Sequence, residues 1–526
     1  MNDKRQVYNP FLPLYEYIPD GEPHVFGDRV YIYGSHDCEG GWTFCMLDYT
    51  VWSAPVNDLT DWRCEGVSYR ASQDPAYPRR KYMYAPDVVR GNDGRYYLYY
   101  CMSGDYGEGG YTEPISVAVS DSPAGPYEYI GHVRNEDGTD MMRYVCFDPA
   151  VMNDNGVIRL CYGTQYDFEE REDYSPDEGW FMGAMMSMFG RTKEEIMSYP
   201  DSIMGPVTVT LKDDMLTIAE PPHHIIPYRV KGTSFEEHPF FEASSLRKVG
   251  DKYYFVYSSM QNHELCYATS DKPDRDFTFG GTIVSNGDIG YNGNTKRMNM
   301  TGTTHGSIEC INGKWYVFYH RLTHKSDYSR QACAQEIEIA DDGSIAQVEM
   351  TSCGLNGGPL VASGTYPAPI ACNITDGNMP HGCNSIYKRA FPNVTNAGDE
   401  RFIGEVGNGT LIGFKYFAFD GKYTFTVTAR TETDANRVVS DAPEREDTRG
   451  ETDVTQIDDY DGAPCIEVRF AQDGDPVAVI ELDETQSEWK EYSAALGAVH
   501  GTHPLFLTYR GKKRIQVKEI GFIPVK

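Results

Sequence analysis

Positive charge is scarce in this 526-residue chain: 47 Lys and Arg stand against 78 Asp and Glu, a formal net charge of −31. So acidic a surface repels phosphates and anionic lipid, and neither nucleic acid nor membrane is expected as a partner. No run of about 18 apolar residues occurs, which excludes a spanning helix. The opening MNDKRQVYNPFLPLYEYIPDG has no basic-then-apolar leader, so no signal peptide is expected. The 13 cysteines include no CxxC pair. A zinc site of ordinary spacing is therefore not expected, and free thiols point to a cytoplasmic protein. P-loop, GxSxG and HExxH sequences are missing too, which removes support for nucleotide, serine-hydrolase and zinc-protease chemistry. Tryptophan is rare, 6 against 39 Tyr, whereas glycine reaches 51. That mix suits short strands and tight turns, an all-β chain of two or three domains.

The first 350 residues repeat. A glycine turn followed by an aromatic, β-branched run occurs as GDRVYIY (27–33), GRYYLYY (94–100), GVIRLCY (156–162), GDKYYFVY (250–257) and GKWYVFY (313–319). Each reads as the second strand of a hairpin. The glycines lie 67, 62, 94 and 63 residues apart, with an insertion at 168–228 in the long interval. VAVSDSP (117–123) and YATSDKP (267–273) mark later strands of two units. Five units of about 60 residues predict a five-bladed β-propeller.

Asp20 and Asp87 lie seven residues before their turn glycines; Asp148, Glu242 and His305 lie eight before theirs. In a propeller the innermost strand of each blade lines the central channel, so these five side chains are expected to converge. Like charges brought together raise one another's pKa. Such a cluster can hydrolyse glycosides with one acid and one base, hold a hard cation such as calcium, or cap turns structurally. Five residues in one register favour the catalytic use.

These residues resemble glycoside hydrolase family 43. The resemblance spans about 9–359 and rests on IPDGEPHVFGDRVYIYGSHD (18–37), YAPDV (84–88), FDPAV (147–151), FEASSLRKVG (241–250), HGSIE (305–309) and YHR (319–321). It implies a five-bladed propeller and an inverting mechanism. By motif position, Asp20 is the expected general base, Glu242 the general acid and Asp87 the residue that tunes the acid. Glu22 is a rival base, because the first motif reads Asp-Gly-Glu-Pro. A galactan-cleaving branch of the family has no base carboxylate, and Asp20 argues against it. No cofactor is expected for the chemistry. His305 is the candidate holder of a structural calcium or an ordered water, and Asp148 is read as structural. Arg321 is the arginine expected at the base or the sugar. His36, Asp37, Trp42, Phe44 and Tyr84 are expected to shape the sugar pocket. His324 and the pair His223 and His224 have no motif around them and receive no role.

GLNGGP (354–359) and GTYPAP (364–369) read as a linker. Beyond it FKYFAF (414–419), KYTFTVTAR (422–430), CIEVRF (465–470), VAVIEL (477–482), PLFLTY (504–509) and RIQVKEIGF (514–522) read as strands of a sandwich. GFKYFAF (413–419) and GTHPLFL (501–507) resemble a family 6 carbohydrate-binding module. Trp489 is expected in its core, and 441–461 as an acidic loop. The expected organisation is a propeller over 1–355, a linker over 356–371 and a jelly-roll-like β-sandwich over 372–526. The expected activity is removal of terminal α-L-arabinofuranosyl units from plant oligosaccharides. The alternatives are β-D-xylosyl specificity, both activities, or a non-catalytic sugar-binding propeller. Oligomeric state stays open.

Overall fold

The computed structural model describes residues 5–104, 110–166, 179–198, 202–382, 387, 389–439 and 460–525. The chain is built almost wholly of strands. Blade 1 holds β1 (Glu22–Phe26), β2 (Arg29–Tyr33), β3 (Tyr49–Pro55) and β4 (Arg63–Tyr69). Blade 2 holds β5 (Tyr82–Arg90), β6 (Tyr96–Ser103), β7 (Ser116–Ser120) and β8 (Glu128–His132). Blade 3 holds β9 (Ala150–Asp154), β10 (Val157–Tyr162), β11 (Val207–Leu211) and β12 (His223–His224). Blade 4 holds β13 (Phe240–Val249), β14 (Lys252–Ser259), β15 (Glu264–Ser270) and β16 (Thr278–Ser285). Blade 5 is three-stranded: β17 (Ile308–Ile311), β18 (Lys314–Thr323) and β19 (Ser326–Ile337). The expected five-bladed propeller is the observed one.

The repeat has a simple physical origin. Both faces of a blade are buried against neighbouring blades, so both parities of a strand must be apolar. Val30 and Ile32 of β2 pack on blade 5, beside Phe318 and Ala334. Tyr31 and Tyr33, between them in sequence, pack on blade 2 beside Leu98 and Tyr100. Tyr97 and Tyr99 face blade 3 in turn. Buried tyrosines keep their hydroxyls satisfied: Tyr99 donates to Met215 O at 2.7 Å, Tyr254 to Gly343 O at 2.7 Å and Tyr257 to His238 O at 2.8 Å. A large ring that can end on a carbonyl suits the space between twisted sheets. The turn glycines 27, 94, 156, 250 and 313 all have positive φ, between 60° and 95°, which a side chain would strain.

The ring closes between its first and last blades. Gly21 bridges Gly306 in parallel, and Phe11 N donates to Ala332 O at 3.1 Å on the edge of β19. The insertion at 168–228 holds α1 (Gly179–Phe189), α2 (Lys193–Met197) and the last two strands of blade 3; its residues 168–178 and 199–201 lie outside the described ones. Met182, Met185 and Phe189 of α1 pack behind Tyr84 and Phe147.

The C-terminal domain is a sheet-rich body. It contains β20 (Leu360–Val361), β21 (Gly364–Pro367), β22 (Asn373–Thr375), β23 (Asn393–Ala397), β24 (Glu400–Val406), β25 (Leu411–Thr431), β26 (Cys465–Arg469), β27 (Ala478–Glu481), β28 (Lys490–Arg510) and β29 (Ile515–Val525). They form one ten-stranded sheet around a single core that includes Phe414, Phe417, Phe425, Val517 and Phe522. The stretch expected as linker is sheet: β20 pairs with β25 and β21 with β29. Its Gly and Pro residues turn the chain between short edge pairings instead of loosening it. Most of the expected acidic loop, 441–459, lies outside the described residues. No described helix is long and apolar enough to cross a membrane.

Candidate active site

Hairpin register decides which side chains meet. Counted back from the pair that closes each inner hairpin, Asp20, Asp148 and His305 stand six residues away and Glu242 seven. A bulge between Phe240 and Ser245 absorbs the extra residue in β13. Asp87 stands only three residues away, because blade 2 turns through the five residues 91–95 while the others turn through two. Counting from Gly94 therefore misplaces it by one layer. Tyr84 is the residue six away in blade 2. One pocket is accordingly lined by Asp20, Asp148, Glu242, His305 and Tyr84, together with Arg330. Asp87 does not line it. Further walls are the rings of Phe44, Tyr111, Phe147, Tyr166 and Phe241.

The backbone is strained where these groups are presented. Asp20, Asp148 and Ala243, which follows Glu242, have φ of 58°, 44° and 67°. Each costs of order 1–3 kcal/mol and persists only because the surrounding sheet imposes it.

The two carboxyls expected to be acid and base are driven apart in pKa. Burial alone would raise Asp20, but it is outweighed. Arg330 Nη1 donates to Asp20 Oδ1 at 2.8 Å, and Asp20 is held below the ordinary carboxylate range. Glu242 is raised to about 8, by burial first and then by the Asp20 charge, against the pull of Arg330. Asp148 is also pushed well up by burial, by Glu242 and by Asp20; its Oδ2 accepts from Ala243 N at 3.2 Å. Burial lowers His305 to about 4, so it is neutral; its Nδ1 lies 3.5 Å from Asp148 Oδ2 and 3.8 Å from Asp20 Oδ1. A carboxylate kept ionised beside a carboxylic acid kept protonated is the arrangement that acid–base catalysis at neutral pH requires.

A second layer lies deeper on the axis. Asp87 pairs with His24 Nε2 at 2.6 Å and accepts from Val88 N and Val151 N, both at 2.7 Å. That is a structural carboxylate tying blade 2 to blades 1 and 3. Glu22 Oε2 accepts from Arg247 at 2.5 Å and Ser245 at 3.0 Å. Its Oε1 is buried with no hydrogen-bond partner and lies 3.9 Å from His305 Nε2. Glu22, His24 and Asp87 also bring ligand atoms within 4.8 Å of one another. The unpaired Glu22 oxygen would give a hard cation in the channel one oxygen ligand. Glu22 does not line the pocket, whereas Asp20 does.

Other expected residues divide. Phe44 lines the pocket, with the Arg330 guanidinium 4.7 Å from its ring centre. Asp37 lies behind it and holds the Arg330 guanidinium through two bonds, 2.8 and 3.0 Å, and its backbone N through a third at 3.2 Å, while accepting from Cys45 N at 2.9 Å. His36 is spent on Glu16 and the Asp48 carbonyl, and Trp42 on Tyr82. Arg321 points away from the pocket, to Ala371 O, Pro369 O and Gln331. The arginine bonded to Asp20 is Arg330. In the hairpin Arg321 pairs with Gln331 and Leu322 with Arg330, so the two arginines face opposite sides of the sheet. Only that pairing would have revealed it.

The chain resembles known proteins in the same terms. A xylosidase/arabinosidase from Thermoclostridium stercorarium is 40% identical over 538 residues, covering 98% of both chains. Xylosidase/arabinosidase 43A from Humicola insolens is 31% identical over 352 residues, 62% of this chain and 96% of that one. The crystal structure of a GH43_1 enzyme from Xanthomonas citri complexed with xylose superposes with a TM-score of 0.50 at 26% identity, over 65% of this chain and 93% of the other. The model of glycosyl hydrolases family 43 matches residues 9–345, the whole run of blades that carries the pocket. With Asp20, Glu242 and Arg330 all inside that match, the chain belongs to glycosyl hydrolases family 43 and is a glycoside hydrolase.

Proposed function

We propose that the enzyme removes terminal α-L-arabinofuranosyl and β-D-xylosyl residues from hemicellulose-derived oligosaccharides, with inversion at the anomeric carbon. The observation that carries this reading is the split between Asp20, held ionised by Arg330, and Glu242, held protonated to about pH 8 in the same pocket. Asp20 takes a proton from water as its oxygen attacks the anomeric carbon. Glu242 gives its proton to the departing glycosidic oxygen. Asp148 takes the tuning role expected of Asp87, because it touches the backbone beside Glu242 and faces the same pocket. His305 lines the pocket and Glu22 and Arg247 beyond it are buried, so the pocket is read as closed on that side and suited to a chain terminus. Support for pentosides comes from the relatives, several of which are named for both sugars. A calcium ion in the channel would be held by His305 and Glu22 and would supply electrostatic support below the pocket. A sugar-binding propeller without chemistry would have no need to keep one carboxyl charged and its neighbour neutral.

The test is p-nitrophenol release from the α-L-arabinofuranoside and the β-D-xyloside, side by side, for wild type and Asp20→Ala. Both substrates are expected to turn over, and the variant to lose about 10³-fold or more in kcat with its fold intact. Near-normal turnover by Asp20→Ala would remove Asp20 from the mechanism; hydrolysis of one pentoside alone would narrow the substrate to that sugar.

A further inference from the structure

The loop between β2 and β3 carries Asp37 and Phe44, and so sets where Arg330 stands. Its outer end is gripped by the C-terminal domain. Glu39 accepts two bonds from Arg401 of β24, 2.8 Å from Nε and 2.7 Å from Nη2, and a third from Tyr17 at 3.2 Å. Gly40 N donates to Ser329 Oγ at 2.9 Å, next to Arg330. The turn joining β18 to β19, five residues before Arg330, is held from the same side. His324 N donates to Val394 O at 2.8 Å, and its ring meets Asn396 at 2.9 Å. Lys325 O accepts from Tyr387 N at 2.9 Å, and its ammonium lies 3.1 Å from Glu405. A third grip reaches the strand that enters blade 5: Thr301 exchanges backbone bonds with Pro380 and Gly382, two residues before pocket-lining Thr303.

We infer that the C-terminal sheet is a positioning element of the active site, with Arg401, through Glu39, holding the loop that keeps Arg330 against Asp20. A free-standing sugar-binding module would have no use for three separate grips on the pocket frame. Its tryptophan is also engaged otherwise: Trp489 lies under Arg430, 4.1 Å from the ring centre, and donates to Glu400 at 3.1 Å. Coupling over this distance needs a contiguous set of packed and bonded groups. Arg401, Glu39, Asp37, Arg330 and Asp20 supply one. The inference rests on Asp20 being the base.

The experiment uses the full chain and compares Arg401→Ala, Arg401→Lys, Glu39→Gln, the Arg401→Ala/Glu39→Gln double variant and Lys518→Ala, with Asp20→Asn as reference. Arg401→Ala and Glu39→Gln are expected to lose about tenfold in kcat with KM within twofold, and the double variant to lose no more than either single one. Arg401→Lys is expected to recover part of the loss, and Lys518→Ala, whose partner Glu400 lies beside Arg401 in the same strand, to match wild type. Wild-type kcat in both Arg401→Ala and Glu39→Gln, or losses that add in the double variant, would overturn the inference. Should Arg401→Ala fail to fold, Glu39→Gln in the propeller decides by its own kcat. If Asp20→Asn is inactive and the brace variants are normal, the brace alone is wrong; if Asp20→Asn stays active, the reading of the base fails first.

Discussion

Glu242 keeps its proton to about pH 8 although a free glutamate loses it near 4.5. Catalysis that needs this proton should fall off above about pH 8, and a pH profile of kcat/KM checks it; a plateau to pH 10 would exclude Glu242 as the acid. The same shift has a stability consequence. The folded chain holds a proton that the unfolded chain has already released, so stability falls as pH rises from about 4.5 to about 8. Glu242→Gln cannot ionise and escapes that loss. Its Tm should exceed wild type by a few degrees at pH 8 and by much less at pH 5. A gap that does not widen with pH would mean that Glu242 is ionised in the folded protein.

At the scale of strands, hairpins were legible and their depth was not. The runs around Tyr31, Tyr97, Leu160, Phe255 and Val317 announce inner hairpins, because both of their faces must be apolar. Nothing in YAPDVVRGNDGRYYLYY (84–100) reveals that its turn spans five residues, so Asp87 seemed level with Asp20. Arg321 is the expected arginine and Arg330 carries no motif for a related reason: a single residue of parity decides which face of β18 and β19 an arginine serves. The resemblance pointed to Asp20 and Glu242 by motif, but it could not supply the cross-strand pairing that reveals Arg330. Close packing also makes a prediction here. A Cβ on Gly306 would lie 1.9 Å from the Phe318 carbonyl oxygen, at the seam where blades 5 and 1 meet. Gly306→Ala should destabilise the fold by about 2–4 kcal/mol, read as a lower urea midpoint. An unchanged midpoint would mean the seam is loose.

For the whole molecule, a net charge of −31 concentrates cations around the protein, and the proposed reading seats one between Glu22 and His305. Adding EDTA should lower Tm, and calcium in excess should restore it. A Tm indifferent to both would assign the Glu22 oxygen to water. Ring closure has a different consequence, in the order of synthesis. Asp20, Asp148 and Glu242 leave the ribosome before Arg330, which is the arginine lining the pocket among the described residues. The 310 residues between Asp20 and Arg330 take roughly 15–60 s to make at ordinary elongation rates. Until then the nascent enzyme has its carboxyls without their counter-ion, and the last blade completes both the ring and the charge balance that makes it a catalyst.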